Sequence, residues 1–367
     1  MKTIKVNLKK TEDRSYDIFA EEGLLKKIGT ILSSKPKRRY AIISDSNVAA
    51  IYGKTVIKQI KNSGMEAILM TFKAGERSKN IHEAENLLNK LAKHGFTRHD
   101  AVIALGGGVT GDLAGFVASI FMRGIALIHI PTTLLAMVDS SIGGKTGINL
   151  KYGKNLAGTF HQPETVIIDP SVLKTLPEKE FLNGFAEIIK YSVIADEKLF
   201  CLLEKHCKKI LGRNTGLLNQ IIIQCTKIKA SVIEKDEREK GLRMILNYGH
   251  TAGHAIERLS KYKISHGEAI SIGMIIANEI GHKLGVLKKN HAMRIKDLLD
   301  HYNLPTSAGH FLTQKNTPGK MWQIMQKDKK MQNSQIHFII PKTIGETIIC
   351  NQVNQSLFSK CLSNLSK

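Results

Sequence analysis

Two stretches of this 367-residue chain gather side chains that do chemistry. The first runs from Pro131 to Asn149 and contains Asp139-Ser-Ser-Ile-Gly-Gly-Lys145-Thr146. A loop rich in Ser, Gly and Lys binds phosphate through backbone amides and an ammonium. It is not a Walker A loop, because Asp139 stands where that motif needs its first glycine. The second is Leu246-Asn247-Tyr-Gly-His250-Thr-Ala-Gly-His254. Arg243, Asn247, His250 and His254 lie at offsets 0, 4, 7 and 11, which would place them on one narrow stripe of a helix. A solvated face is the plain alternative, but Gly249 and Gly253 lie on the opposite side and suit close packing there. Together the two stretches point to an enzyme using a nucleotide cofactor and a metal on a small anionic substrate.

Other residues fit that chemistry. Glu187 and Lys190 share a helix face, as an ordinary surface pair also would. Lys229 follows Ile222 by seven residues and Cys225 by four, so it interrupts an apolar stripe. A lysine there either snorkels or reaches an anion in a cleft. His266 stands just before a helical pattern. One carboxylate and two histidines suffice for a catalytic Zn²⁺ with an open position. Glu187, His250 and His266 form such a set, and spacing alone lets His254 replace either histidine. Gly106-Gly107-Gly108-Val109-Thr110-Gly111-Asp112 follows an apolar run and satisfies G-x-G-x-x-G, as some structural turns do. No acid follows at the usual distance. Asp45, after the run Tyr40–Ser44, is the alternative ribose-binding acid.

These groups need a scaffold. Apolar runs at 39–44, 67–72, 101–105 and 126–130 alternate with helical patterns such as 80–94, which predicts a mostly parallel sheet covered on both faces. From Leu176 onward helical periodicity dominates, at 178–211, 215–238, 267–286 and 290–301, with a late strand at 336–340. The alternating start of the chain reads as a strand, not a signal peptide. The expected domains are 1–175 and 176–367, joined without a Gly/Pro/Ser linker and therefore tightly. Ligand sites favour such clefts.

The bulk numbers exclude other classes. No run of about eighteen apolar residues exists, so no membrane span is expected. Cys201, Cys207, Cys225, Cys350 and Cys361 form no Cys-x-x-Cys pair, which suits reduced thiols in a cytoplasmic protein. The net charge of +22 raises nucleic-acid binding, but no basic block, zinc-finger spacing or aromatic-rich basic strand supports it. Dispersed surface lysines, with some focusing of an anionic substrate, account for the charge.

Taken in order, the motifs resemble the 3-dehydroquinate synthases over nearly the whole chain. They are Gly75-Glu76-Arg77-Ser78-Lys79, Gly106 to Asp112, Met122-Arg123-Gly124, Pro131 to Asn149, Lys154-Asn155, Glu187-Ile-Ile-Lys190, Gly241-Leu-Arg243, Leu246 to His254, His266-Gly-Glu268 and Asp328-Lys329-Lys330. The resemblance implies an α/β Rossmann-like N-terminal domain, a mainly α-helical C-terminal domain, a homodimer, bound NAD and one Zn²⁺ or Co²⁺. It implies conversion of 3-deoxy-D-arabino-heptulosonate 7-phosphate to 3-dehydroquinate and phosphate, in the shikimate pathway of aromatic amino-acid biosynthesis. The steps would be transient oxidation, phosphate β-elimination, reduction, ring opening and an intramolecular aldol reaction.

By the same resemblance, Glu187, His250 and His266 are the metal ligands. Asp45, Gly75, Glu76, Arg77, Ser78, Lys79, Gly108, Val109, Thr110, Gly111, Asp112, Thr132, Thr133, Leu173, Lys174 and Thr175 contact NAD. Lys145 and Lys154 lie between cofactor and substrate. Asp139, Asn155, Lys190, Lys229, Arg243, Asn247 and His254 form the substrate shell. Arg123 binds phosphate, across a dimer interface, and one of the two lysines Lys329 and Lys330 reaches substrate. The rival enzyme readings are another sugar phosphate cyclase, making an inosose or a valiolone, and a metal-dependent polyol dehydrogenase. Arg243 with Asn247 favours a substrate bearing a carboxylate. The Lys145, Lys190 and Lys229 shell disfavours a simple polyol.

Overall fold

In the computed structural model, residues 13–239, 241–307, 317–331 and 336–365 are described, without the side chains of 328–331. The strand expected at the very start of the chain lies outside these residues. Along the chain come β1 (Asp17–Ala20), α1 (Ile28–Ser33), β2 (Tyr40–Asp45), α2 (Ser46–Val48), α3 (Lys54–Asn62), β3 (Ala67–Phe72), α4 (Ile81–Lys93), β4 (Ala101–Gly106), α5 (Gly108–Ile120) and β5 (Ala126–Pro131). A hairpin of β6 (Lys145–Leu150) and β7 (Gly153–Phe160) precedes β8 (Thr165–Ile168).

The six strands other than the hairpin form one parallel sheet, ordered β1-β8-β5-β4-β2-β3. The apolar runs read from the sequence are four of its strands, β2, β3, β4 and β5, and every residue of β4 is buried. Side chains alternate between two cores. Ile42 and Ile103 face one, with α1 and α3; Ala41, Ile43, Val102 and Ala104 face the other, with α4 and α5. The chain goes from β2 out to β3, then returns to β4 on the other side of β2. That reversal makes a switch point at the carboxyl ends of β2 and β4, where open α/β sheets bind ligands.

The remainder is α6 (Glu178–Ala195), α7 (Glu197–Leu211), α8 (Thr215–Lys235), α9 (His250–Leu259), α10 (His266–Lys283), α11 (Lys289–His301), α12 (Thr317–Met331), the antiparallel pair β9 (Phe338–Thr343) and β10 (Glu346–Cys350), and α13 (Gln355–Leu365). The expected run at 178–211 is two helices. Asp196 leaves helical geometry and caps α7 through Leu199 N at 3.0 Å. Helices α6 to α8 share a core with the first face of the sheet, so the helical part packs directly against it. No described helix is long and apolar enough to cross a membrane.

Helices α9 and α10 cross at very close range. A Cβ on Gly273 would lie 1.9 Å from Gly249 O, and one on Gly253 would lie 2.8 Å from Ile270 Cδ1. The glycines do permit close packing. They bring the histidines of α9 against the start of α10.

Candidate active site

Glu187 sits on α6, fully buried. His250 opens α9 and His266 opens α10, whose start is fixed by a capping box between Ser265 and Glu268. Glu187 Oε1 lies 3.2 Å from His250 Nε2 and 3.2 Å from His266 Nε2. One ligand atom from each of the three lies within 4.8 Å of the others. The outer ring nitrogens face other acceptors. His250 Nδ1 is 3.1 Å from Tyr248 O, and His266 Nδ1 is 3.5 Å from Glu257 Oε2. Such outer contacts orient metal-binding imidazoles, here with both Nε2 atoms pointing inward.

Opposite charges hold Glu187, Glu257 and His266 in their charged forms. Burial raises the Glu187 pKa, but Lys190 and His250 outweigh it and hold the carboxyl well below its ordinary range. Burial alone would lower His266, yet Glu187 and Glu257 push it up to about 10. Burial also works against ionised Glu257, while His266 draws it down to about 2. One carboxylate, Glu187, and two convergent imidazole nitrogens, from His250 and His266, are suitable donors for a divalent metal with an open position. His254, one turn beyond His250, reaches solvent at the cleft.

A shell of charge surrounds this cluster. Lys190 pairs with Glu187 on α6. Lys229, from α8, lies 2.8 Å from Asp139 Oδ1 and 2.5 Å from Asp139 O. It therefore reaches an anion and does not snorkel. Tyr191 donates to the same Oδ1 at 2.6 Å. Burial opposes ionisation of Asp139, but Lys229 and Lys190 hold it well below the ordinary value. Arg243 is buried and donates to Glu237 O and, at 3.4 Å, to Gly143 O. Gly143 has φ +94°, and a Cβ there would lie 2.7 Å from Arg243 Nη2. Glu239 ties Lys145 to Asn247, accepting from Asn247 Nδ2 at 2.7 Å.

The proposed helical stripe from Arg243 to His254 is corrected by the structure. Arg243 and Asn247 lie in a tight turn, Leu242–Asn247, and Gly249 at φ +80° breaks the path before α9 begins. The stripe instead continues forward: His250, His254 and Glu257, at offsets 0, 4 and 7, share one face of α9. Sequence reasoning missed Glu257, although the same periodicity would have found it. It also missed Glu239, which reads as one more charge in a solvated run. The stretch read as a cradling loop is partly regular: Asp139 lies in a wide turn, Ala136–Ser140, and Lys145 begins β6.

On the sheet side, Gly108, Val109, Thr110, Gly111 and Asp112 form the first turn of α5, directly after β4. The helix thus starts at Gly108, inside the glycine motif itself. Asp45 ends β2 and caps α2 through Asn47 N at 3.0 Å, and Thr110 Oγ1 donates to it at 3.3 Å across the switch point. Gly75, Glu76, Arg77 and Ser78 make a turn after β3, with Gly75 at φ +114°. Lys79 is buried, pairs with Asp112 and donates to Asn155 Oδ1 at 2.5 Å. Thr132 and Thr133 follow β5. The Thr132 hydroxyl is buried without a hydrogen-bond partner in the protein, which suits a cofactor at this edge. Lys154, from β7, lies 3.9 Å from Glu257 Oε1 and over the Tyr262 ring.

Other predicted residues are not drawn into this cluster. Thr175 and Leu173 belong to the turn Pro170–Thr175. The Leu173 side chain is core, Lys174 reaches Glu22 at 3.4 Å, and the Thr175 hydroxyl is 2.6 Å from Tyr52 OH. Arg123 is exposed at φ +67°. The side chains of Lys329 and Lys330 lie outside the described residues.

Comparison with known proteins gives the same answer. Residues 69–183 match the family described as 3-dehydroquinate synthase N-terminal, and residues 184–331 match 3-dehydroquinate synthase C-terminal. The chain is 45% identical to the 3-dehydroquinate synthase of Desulforamulus reducens over 358 residues, covering 97% of this chain and 98% of that protein. In structure it is similar to 2-epi-5-epi-valiolone synthase from Streptomyces hygroscopicus subsp. jinggangensis with NAD⁺ and Zn²⁺ bound. The TM-score is 0.90 and the identity 28%, with 98% and 99% of the two chains covered. It is also similar to 2-deoxy-scyllo-inosose synthase complexed with carbaglucose-6-phosphate, NAD⁺ and Co²⁺. That TM-score is 0.80 and the identity 27%, with 95% and 96% covered.

Proposed function

The chain belongs to the 3-dehydroquinate synthase family, and from that premise we infer how its cleft carries out the reaction. The enzyme converts 3-deoxy-D-arabino-heptulosonate 7-phosphate to 3-dehydroquinate and phosphate, with NAD and one divalent metal, Zn²⁺ or Co²⁺. The observation that carries the reading of the site is the convergence of Glu187, His250 and His266 within 4.8 Å, next to a shell of buried cations.

When bound, NAD supplies reversible hydride acceptance and the metal supplies Lewis-acid polarisation of substrate oxygens. Glu187, His250 and His266 would hold the metal. Asp45, the turn Gly75 to Lys79, Gly108 to Asp112, Thr132, Thr133 and the turn Leu173 to Thr175 would line the NAD site at the switch point. The domain division falls at 175/176, just before α6, so the two ligand sets come from the two halves.

The substrate carries a carboxylate and a phosphate, and the cleft supplies fixed cations for both. Arg243 presents a planar guanidinium suited to the carboxylate. Its contacts to two backbone carbonyls fix the direction of the fork. Lys190 and Lys229 stand on the metal side, and Lys145 and Lys154 on the sheet side. Asp139, kept ionised by Lys229, offers acceptors to substrate hydroxyls. Asn155, Asn247 and His254 complete the polar lining. Such preorganised charge favours departure of phosphate without reorganisation at the moment of reaction. The cleft between the packed halves also suits a cofactor that is regenerated in place.

Arg123 is too exposed to complete the phosphate site alone. Ile120 and Met122 beside it are exposed, as are Leu150, Tyr152, Leu156 and Phe160 of the hairpin. A second copy of the chain would cover such groups, which supports a homodimer in which Arg123 serves the neighbouring site. A cytoplasmic location fits the reduced cysteines and the substrate.

The test of the metal set is metal content. His250→Ala should keep its fold by circular dichroism and lose stoichiometric zinc by elemental analysis. Full zinc content in that variant would sink the assignment.

A further inference from the structure

The metal reading leaves Glu257 without a task. It is a buried carboxylate, 8% exposed, on the same face of α9 as His250 and His254. Its backbone is well fixed: the carbonyl accepts from Ser260 Oγ at 2.9 Å and from Tyr262 N at 2.8 Å. Its two carboxylate oxygens point to different partners. Oε2 lies 3.5 Å from His266 Nδ1, and Oε1 lies 3.9 Å from Lys154 Nζ.

We propose that Glu257 is a positioning residue for the metal site, holding the His266 ring so that Nε2 faces Glu187 and His250. This rests on the assignment of Glu187, His250 and His266 as the ligands. The two histidines differ in how they are held. The Nδ1 atom of His250 has a main-chain acceptor from its own approach to α9, Tyr248 O at 3.1 Å. His266 opens a different helix, and its side chain is 29% exposed against 13% for His250. Among the described residues, Glu257 is the acceptor that faces His266 Nδ1. A carboxylate there fixes ring orientation and raises ligand basicity, and losing such a partner typically weakens metal binding by about 10–100-fold.

Lys154 supplies the rival explanation. Glu257 would then serve only to anchor hairpin residue Lys154 by an ion pair. That pair is longer than the contact to His266, and Lys154 has a second holder, the Tyr262 ring, 4.1 Å away. Loss of the Lys154 charge should therefore leave the His266 ring in place.

The experiment measures zinc dissociation constants by chelator competition on the full chain, for the parent, Glu257→Gln, Lys154→Met and His250→Ala. Circular dichroism checks that each is folded. Glu257→Gln should bind zinc at least about tenfold more weakly and should alter the visible Co²⁺ spectrum. Lys154→Met should keep zinc affinity within about twofold, since its role lies outside the ligand shell. Parent-like affinity in Glu257→Gln overturns the proposal while leaving the ligand set standing. Equal weakening in Lys154→Met overturns it in favour of the anchor. Retention of zinc by His250→Ala with loss in Glu257→Gln would place the ion among His254, Glu257 and His266, and would overturn both readings. Should Glu257→Gln fail to fold, Glu257→Asp keeps the charge but withdraws the oxygen from Nδ1. It should show the same loss, and unchanged affinity there overturns the proposal.

Discussion

Replacing Lys229 by methionine removes one charge from a pair that neither water nor another cation fully replaces. The Lys229 side chain is 6% exposed, and its ammonium lies 2.8 Å from Asp139 Oδ1. Breaking a buried ion pair from one side costs about 3–5 kcal/mol, because the remaining charge is stranded. Two features moderate that figure. The Asp139 side chain is 29% exposed to the cleft, and Tyr191 still donates to it at 2.6 Å. The expected loss is therefore about 2–3 kcal/mol, nearer the range for one charged hydrogen bond. Asp139→Asn should cost a similar amount by stranding the ammonium. The double variant, Lys229→Met with Asp139→Asn, strands neither charge. It should be destabilised by less than the two single losses together, with a coupling energy of about 1.5–3 kcal/mol. Urea unfolding followed by circular dichroism, with Trp322 fluorescence as a second probe, gives the four stabilities. Turnover should collapse in all three variants, so recovered stability will not recover activity. Additivity of the two single losses to within about 0.5 kcal/mol would refute the pairing.

Three further outcomes follow from particular contacts. His129 is buried in β5, and burial, with His161 beside it, holds its pKa at about 4 against an ordinary 6.5. The unfolded chain therefore binds the extra proton first, so this group's contribution is complete above pH 6.5 and is lost as pH falls toward 4. Its size is roughly 3 kcal/mol. His129→Gln should flatten stability against pH in that window, and an unchanged slope would contradict the assignment. Arg243→Lys keeps the charge but loses the fork, so kcat/KM should fall by about tenfold or more. The defect should shrink for a substrate analogue lacking the carboxylate, and equal defects for both would remove Arg243 from carboxylate recognition. Gly273→Ala would put a Cβ 1.9 Å from Gly249 O. Forcing α9 and α10 apart should cost about 1–3 kcal/mol and weaken zinc binding, and wild-type zinc affinity would show that the close crossing does not set the ligand geometry.

Much of this architecture can be read from the sequence because parallel strands covered on both faces must be apolar throughout. Runs such as Ala101–Leu105 stand out for that reason, whereas the strand order, and with it the switch point where Thr110 donates to Asp45, does not show in local composition. Glu187 and Lys190 were legible through helical spacing. Lys229 was legible because a charge on an apolar stripe needs a partner, although Asp139, 90 residues earlier, could not be named as that partner. What periodicity hides is a change of backbone direction. Gly249 is tolerated inside a helix and also adopts φ +80°, so the sequence does not reveal that α9 begins after it. The stripe consequently ran backward to Arg243 and missed Glu257 ahead. The hairpin of β6 and β7 is hidden in the same way. Gly143 and Gly144, at φ +94° and +67°, turn the chain into a strand that local composition reads as loop.

The central claim is a reaction in which NAD is used and regenerated within one turnover. The most direct measurement mixes the purified protein with NAD⁺, Zn²⁺ and 3-deoxy-D-arabino-heptulosonate 7-phosphate, following phosphate release, product and absorbance at 340 nm together. The account predicts one phosphate and one 3-dehydroquinate per substrate consumed, with no net accumulation of NADH. Steady accumulation of NADH without phosphate release would mark a dehydrogenase and contradict it.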